Sequence, residues 1–283
     1  MIVPGEFGTG ERRVKAHDVV VVGGGPAGLF CALQAAGEDR SVLLLEKNPS
    51  CGRKLLITGS GQCNLTHDGD IGEFPAHYGD HGAFLRSALM AFTNRDLIAF
   101  FEERGLPMDV EGESGKVFPA TRRASDILAL LLLACNERGV TIRFSEPVEH
   151  VSVKEGVFTI KTPVAVYTAK CLVIAAGGSS YPAMGSTGDG YALARELGLS
   201  VTPTAPALVP VYVKEYPFAD LAGISFPDIP ISLFRGGKKV QQKSGDLLFT
   251  HSGLSGPGIL DLSRYIAAGD VLKVAFLRGT APE

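Results

Sequence analysis

The stretch that decides the fold runs from His17 to Lys47 and reads HDVVVVGGGPAGLFCALQAAGEDRSVLLLEK. Val19, Val20, Val21 and Val22 form the short β-branched run of a strand buried on both faces, as in the middle of a parallel sheet. The run enters Gly23, Gly24, Gly25, Pro26, Ala27 and Gly28, which hold the spacing G-x-G-x-x-G at positions 23, 25 and 28. Residues 29–36 have helical composition and stop at Gly37. A second apolar strand over 41–45 then ends in Glu46.

Each glycine has its own physical task. Gly23 permits the tight turn out of the strand, Gly25 puts no Cβ between backbone and a pyrophosphate, and Gly28 lets the helix lie close on the sheet. The unpaired N–H groups and positive dipole end of that helix favour phosphate oxygens. Glu46 stands eighteen positions past Gly28, where an acid accepts hydrogen bonds from adenosine ribose hydroxyls and repels a 2′-phosphate. Strand, turn, helix and acid together predict a dinucleotide site rather than an ordinary glycine-rich turn.

With 283 residues, 45% hydrophobic and 20% charged, the chain has room for one large or two medium domains. Its net charge of −3 argues against a nucleic-acid partner. The most apolar helix-like run, 127–135, is too short to span a bilayer, and no signal peptide is recognisable. Five scattered cysteines (31, 51, 63, 135 and 171) without a C-x-x-C predict a reducing cytoplasm and exclude a disulfide reductase. Nothing in the pattern suggests a metal, and the oligomeric state stays open.

Residues 1–16 read as a loose leader. Beyond Glu46 and Lys47, the segment 51–64 (CGRKLLITGSGQCN) is rich in glycine and small polar residues, suited to backbone approaching a flat or phosphorylated ligand. Arg53 and Lys54 either supply positive charge to it or belong to a solvated basic loop. Two helices divided near Thr93 and Asn94 span 83–104, a hairpin covers 108–117, and Ser125 is expected to cap a helix over 126–138. A third parallel strand, 141–144, precedes Val148, the candidate for a backbone contact to adenine. Segments 151–154, 157–162 and 164–168 make a three-stranded meander. A separate buried strand, 171–176, ends in Gly177 and Gly178 on the carboxyl edge where open α/β sheets bind ligands. Prolines at 203, 206, 210, 217, 227 and 230 then punctuate short β runs at 208–214 and 229–234. The expected organisation is a leader (1–16), a nucleotide-binding domain (17–199) and a β-rich, substrate-side domain (200–283).

With GGGPAG, GRKLLITGSGQCN, VFPATRRASDIL, LVIAAGGSSYPAMGSTGDGYALA and LFTHSGLSGPGIL in one order, the chain resembles the flavoproteins that include aminoacetone oxidase and the flavoprotein of bile-acid 7-dehydroxylation. This family comprises NAD(P)- and FAD-dependent oxidoreductases. The resemblance implies a Rossmann-like α/β domain of the glutathione-reductase FAD/NAD(P)-binding type, with its meander and an incomplete β-rich second domain. It also implies FAD as cofactor, NAD(P)H or oxygen as redox partner, and a small-molecule substrate. The implied cofactor contacts are Gly23, Gly25, Pro26, Ala27, Gly28, Glu46, Lys47, Arg53, Lys54, Ser60, Gly61, Gln62, Cys63, Asn64, Val148, Ala176, Gly177 and Gly178.

Two departures stand out. Family members carry Arg where Gln62 stands, and they continue for over a hundred residues with a second glycine-rich FAD segment, so the reading frame is expected to run past Glu283. An alternative follows from both: a flavin-binding or interaction module without turnover. Cys63, Tyr181 and His251 are the available proton donors, and each has a structural explanation, so no catalytic acid is assigned.

Overall fold

A computed structural model describes residues 14–276, and the chain divides at Val201/Thr202 into two compact units. In the first, strand β1 (Val14–Val22) leads through the glycine turn into helix α1 (Pro26–Ala35) and strand β2 (Val42–Leu45). β1 therefore begins inside the stretch read as a leader, while residues 1–13 lie outside the described residues. Strand β3 (Thr66–His67) and helices α2 (Gly82–Ala91) and α3 (Asn94–Glu102) follow, then the hairpin of β4 (Met108–Glu111) and β5 (Lys116–Pro119). Helix α4 (Ala124–Glu137) feeds β6 (Thr141–Arg143), and β7 (His150–Lys154), β8 (Val157–Lys161), β9 (Val166–Ile174) and α5 (Asp189–Glu196) complete the unit.

The main sheet has the order β6-β2-β1-β9-β8-β7, with β1 flanked by parallel neighbours, as its unbroken valines require. Alternate members of the run serve opposite layers. Val19 and Val21 pack with Leu29, Leu33, Phe101 and Leu131 from the helices, whereas Val20 and Val22 pack with Leu43, Leu45, Val151, Ile160 and Leu193. That is the period of two of a strand, read twice.

Two sequence expectations need correction here. The separate strands at 164–168 and 171–176 are one continuous β9, pairing antiparallel with β8 and parallel with β1. Ala169 and Lys170 contain no turn-forming residue, and hydrogen-bonding partners on both edges keep the backbone extended. Ser125 is also not a cap: α4 starts at Ala124, two residues earlier than expected, with Arg123 as N-cap, because the buried Ala124 is already helical.

The cap of α3 has full side-chain geometry. Thr93 Oγ1 accepts from Asp96 N (3.2 Å) while Asp96 Oδ2 accepts from Thr93 N (2.8 Å), forming a capping box. Thr93→Ala should cost about 1 kcal/mol in urea unfolding. An unchanged midpoint would show that the box adds nothing.

The second unit is a five-stranded antiparallel sheet. It contains β10 (Val211–Tyr212), β11 (Ser225–Arg235), β12 (Lys238–Phe249), β13 (Gly253–Ser255) and, after helix α6 (Pro257–Leu262), β14 (Val271–Val274), in the order β10-β13-β12-β11-β14. The expected run at 208–214 shrinks to two residues, whereas the one at 229–234 lengthens. A register shift between Phe226 and Ile229 carries β11 past Pro227, which has no N–H for the ladder. Ile259 and Leu262 of α6 bury against Ile231, Leu247 and Leu254.

Candidate dinucleotide-binding site

A cleft of about 350 Å³ opens along the carboxyl edge of the parallel strands of the first unit. Its walls come from residues just past four strands: Glu146 and Val148 after β6, Glu46, Lys47 and Asn48 after β2, Gly23 and Gly25 after β1, and Ala175, Ala176 and Gly177 after β9. Pro26 and Ala27 from the first turn of α1 complete the middle, with Arg53, Lys54, Ser186 and Asp189 around it.

The three fingerprint glycines differ in what surrounds them. Gly23 has φ +107°, and a Cβ there would stand 2.5 Å from Ala175 O. A Cβ on Gly28 would stand only 1.9 Å from Gly23 O, so the helix packs directly on the turn and Gly28 lies beneath the cleft. Gly25 is the N-cap of α1 in extended conformation, and a Cβ there would meet nothing within 4 Å. Bare backbone thus faces open space where Ala27 and Gly28, in the first helical turn, have N–H groups without i−4 acceptors. These features fit a pyrophosphate.

Glu46 is 6% exposed. Its Oε2 accepts from Gly24 N (2.6 Å), and its Oε1 accepts from Asn48 N (2.8 Å) and Asn48 Nδ2 (2.6 Å). A carboxylate has about four lone-pair positions, so room remains for roughly one more donor, such as a ribose hydroxyl. Behind it, burial first and the Glu46 charge second push the Cys51 thiol up to about 12.

Lys47, and the Arg53 and Lys54 weighed as positive charge for a ligand, are all engaged by protein. Lys47 Nζ contacts Asp189 Oδ2 (2.5 Å) and Thr187 Oγ1 (2.7 Å), and Arg53 donates to Asn48 Oδ1 (2.9 Å) and Ala183 O (3.1 Å). Lys54 reaches Ser180 Oγ (3.3 Å). All three therefore reach the segment between β9 and α5 and hold it against the β2 side of the cleft.

Ser60, Gly61, Gln62, Cys63, Asn64 and Gly178 do not line this cleft. Gly59 and Ser60 are left-handed, which kinks the segment Leu55–Gly61. Cys63 is buried among core side chains, where burial pushes its thiol up. Tyr181 is exposed in the first unit, and His251 is an exposed residue of the second. Sequence reasoning missed Asn48, Ser186, Asp189 and Glu146. The spacing of Gly185, Gly188 and Gly190 marked the segment holding two of them, but nothing local indicated Glu146.

Residues 17–271 match the family model described as the HI0933-like protein Rossmann domain. The 3-dehydro-bile acid delta(4,6)-reductase of Clostridium scindens is 32% identical over 251 residues, covering 88% of this chain and 60% of that protein. The ribosomal RNA dihydrouridine synthase of Haemophilus influenzae is 35% identical over 253 residues, 87% of this chain and 61% of that one. The chain thus spans about three fifths of the length of these relatives. In fold, it is similar to the open form of a flavocytochrome c3 fumarate reductase (21% identity, TM-score 0.50, covering 64% of this chain and 40% of that one). No helix among the described residues is long and apolar enough to cross a membrane. The chain belongs to the HI0933-like Rossmann-domain family.

Proposed function

We propose that the first unit holds FAD along the carboxyl edge of its sheet, and that the protein is an oxidoreductase acting on a small organic molecule with NAD(P)H or oxygen as redox partner. The observation carrying this reading is the bare Gly25 facing open space at the start of α1, inside a cleft with Glu46 on one side and Ala176 and Gly177 on the other. Bound FAD would supply hydride transfer through flavin N5.

The chain's own residues bind and orient. Ala27 and Gly28 N–H groups receive the pyrophosphate, Glu46 takes a ribose hydroxyl and repels a 2′-phosphate, and Val148 meets the adenine. Ala176 and Gly177 leave a low wall for the flavin end, with Gly178 and the segment containing Ser60, Gly61, Gln62, Cys63 and Asn64 beyond it. Lys47, Arg53 and Lys54 act by pinning the segment 180–189 and excluding water. In this reading the unit after Val201 is the substrate-side domain, and five free thiols suit a reducing cytoplasm.

The names of the two relatives share one chemistry, saturation of a carbon–carbon double bond. This supports an electron-poor alkene conjugated to a carbonyl as substrate. The second name also puts a nucleotide base among the candidate substrates.

FAD-reconstituted protein, bleached anaerobically by NADH or NADPH, should regain its flavin absorbance when given an unsaturated ketone or uridine-containing RNA. Which of the two reoxidises it names the substrate class. Folded protein that takes up no FAD, or bound flavin that no donor bleaches, would leave the non-catalytic module as the correct description.

A further inference from the structure

Glu146 is a buried carboxylate with no task in the reading above, although it lines the cleft beside Val148. The residue is 6% exposed, and its N–H donates to Glu46 O (3.0 Å), which fixes it next to the ribose-side acid. Two hydroxyls, Thr162 Oγ1 (2.9 Å) and Tyr167 OH (2.7 Å), donate to its Oε1. Oε2 accepts nothing from the described residues. Oε2 is not among the buried side-chain atoms left without a partner, so a donor entering the cleft can reach it. The sheet order places it past β6, one strand beyond the position where β2 presents Glu46. A dinucleotide whose pyrophosphate lies at α1 and whose ribose lies at Glu46 brings its base to this end.

We infer that Glu146 reads the base of the dinucleotide by accepting a hydrogen bond from the exocyclic 6-amino group of adenine, making it a specificity-determining residue. The inference rests on the FAD reading. Adenine offers a donor at that edge, and a purine lacking the amino group offers none, leaving Oε2 unpaired. In Glu146→Gln, the Thr162 and Tyr167 hydroxyls hold the amide oxygen, which turns the amide NH₂ toward the base, donor against donor.

The test is fluorescence titration of the apoprotein with FAD, with the FAD analogue carrying purine in place of adenine, and with FMN. Wild type should bind FAD about tenfold or more tighter than the purine analogue. Glu146→Gln should bring that ratio to about one while leaving FMN affinity unchanged, an outcome a purely structural Glu146 would not produce. Equal binding of FAD and the analogue by wild type, which needs no variant to fold, would overturn the inference, as would an undiminished ratio in Glu146→Gln. Absence of saturable FAD binding to wild type would overturn the cofactor reading and this inference with it.

Discussion

Gly25→Val is expected to give a folded protein that no longer retains flavin. A Cβ added at residue 25 meets no protein atom within 4 Å, and the residue is already in extended conformation with φ −75° and ψ 176°. A valine therefore fits the apoprotein and fills only the space assigned to phosphate. FAD affinity should fall by about a hundredfold or more, since the branched carbon displaces the oxygens from the N–H groups of the first helical turn. Loss of the glycine N-cap costs the apoprotein about 1 kcal/mol, a drop of about 2–4 °C in Tm. Wild type gains thermal stability on adding FAD, as any ligand-binding native state does, and the variant should gain none. A Gly25→Val protein that stays yellow, or that FAD still stabilises, would move the phosphate away from α1.

Gly28→Ala should do the reverse, damaging the fold before the site. Its new methyl carbon would lie 1.9 Å from the carbonyl oxygen of Gly23, a backbone atom that cannot swing aside as a flexible side chain does. Relief requires α1 to lift from the turn, which unpacks Leu29, Ala32 and Leu33 from Val19, Val21 and Leu44. Overpacking of this kind costs on the order of 3 kcal/mol or more, and in urea the unfolding midpoint of the apoprotein should drop accordingly. A variant as stable as wild type would show that helix and turn are further apart than the structure has them. The pair of substitutions thus separates two glycines of one motif: position 25 reports on ligand space and position 28 on helix packing.

The same contrast explains what could be read in advance. The β1–turn–α1–β2 unit was legible because its signals are local: an uninterrupted valine run demands neighbours on both edges, and a strand ending in closely spaced glycines has few ways to continue. The boundary of β9 was not legible, because continuity across Ala169 and Lys170 is decided by β1 and β8 pairing along its edges. Nor was the α4 start, set by the burial of Ala124 rather than by the hydroxyl of Ser125.

In the site, charge was visible but its direction was not. Lys47, Arg53 and Lys54 are basic in any conformation, yet Thr187, Asp189, Ala183 and Ser180 become their partners only once β9 lies beside β1 and delivers the segment after it. Glu146 is the clearest case. An acid before a proline reads as loop surface, and only the packing of β8 and β9 brings Thr162 and Tyr167, sixteen and twenty-one residues away, onto one of its oxygens.

By itself, the sequence determined the strand-turn-helix that opens the sheet, the acid that ends β2, and the kind of ligand such a turn accepts, since these depend on the Cβ atoms and hydrogen-bonding groups of neighbouring residues. Tertiary structure alone decided which polar side chains line the cleft and which are spent on the protein, because a long side chain takes its nearest acceptor in space and the chain order does not reveal where that acceptor lies.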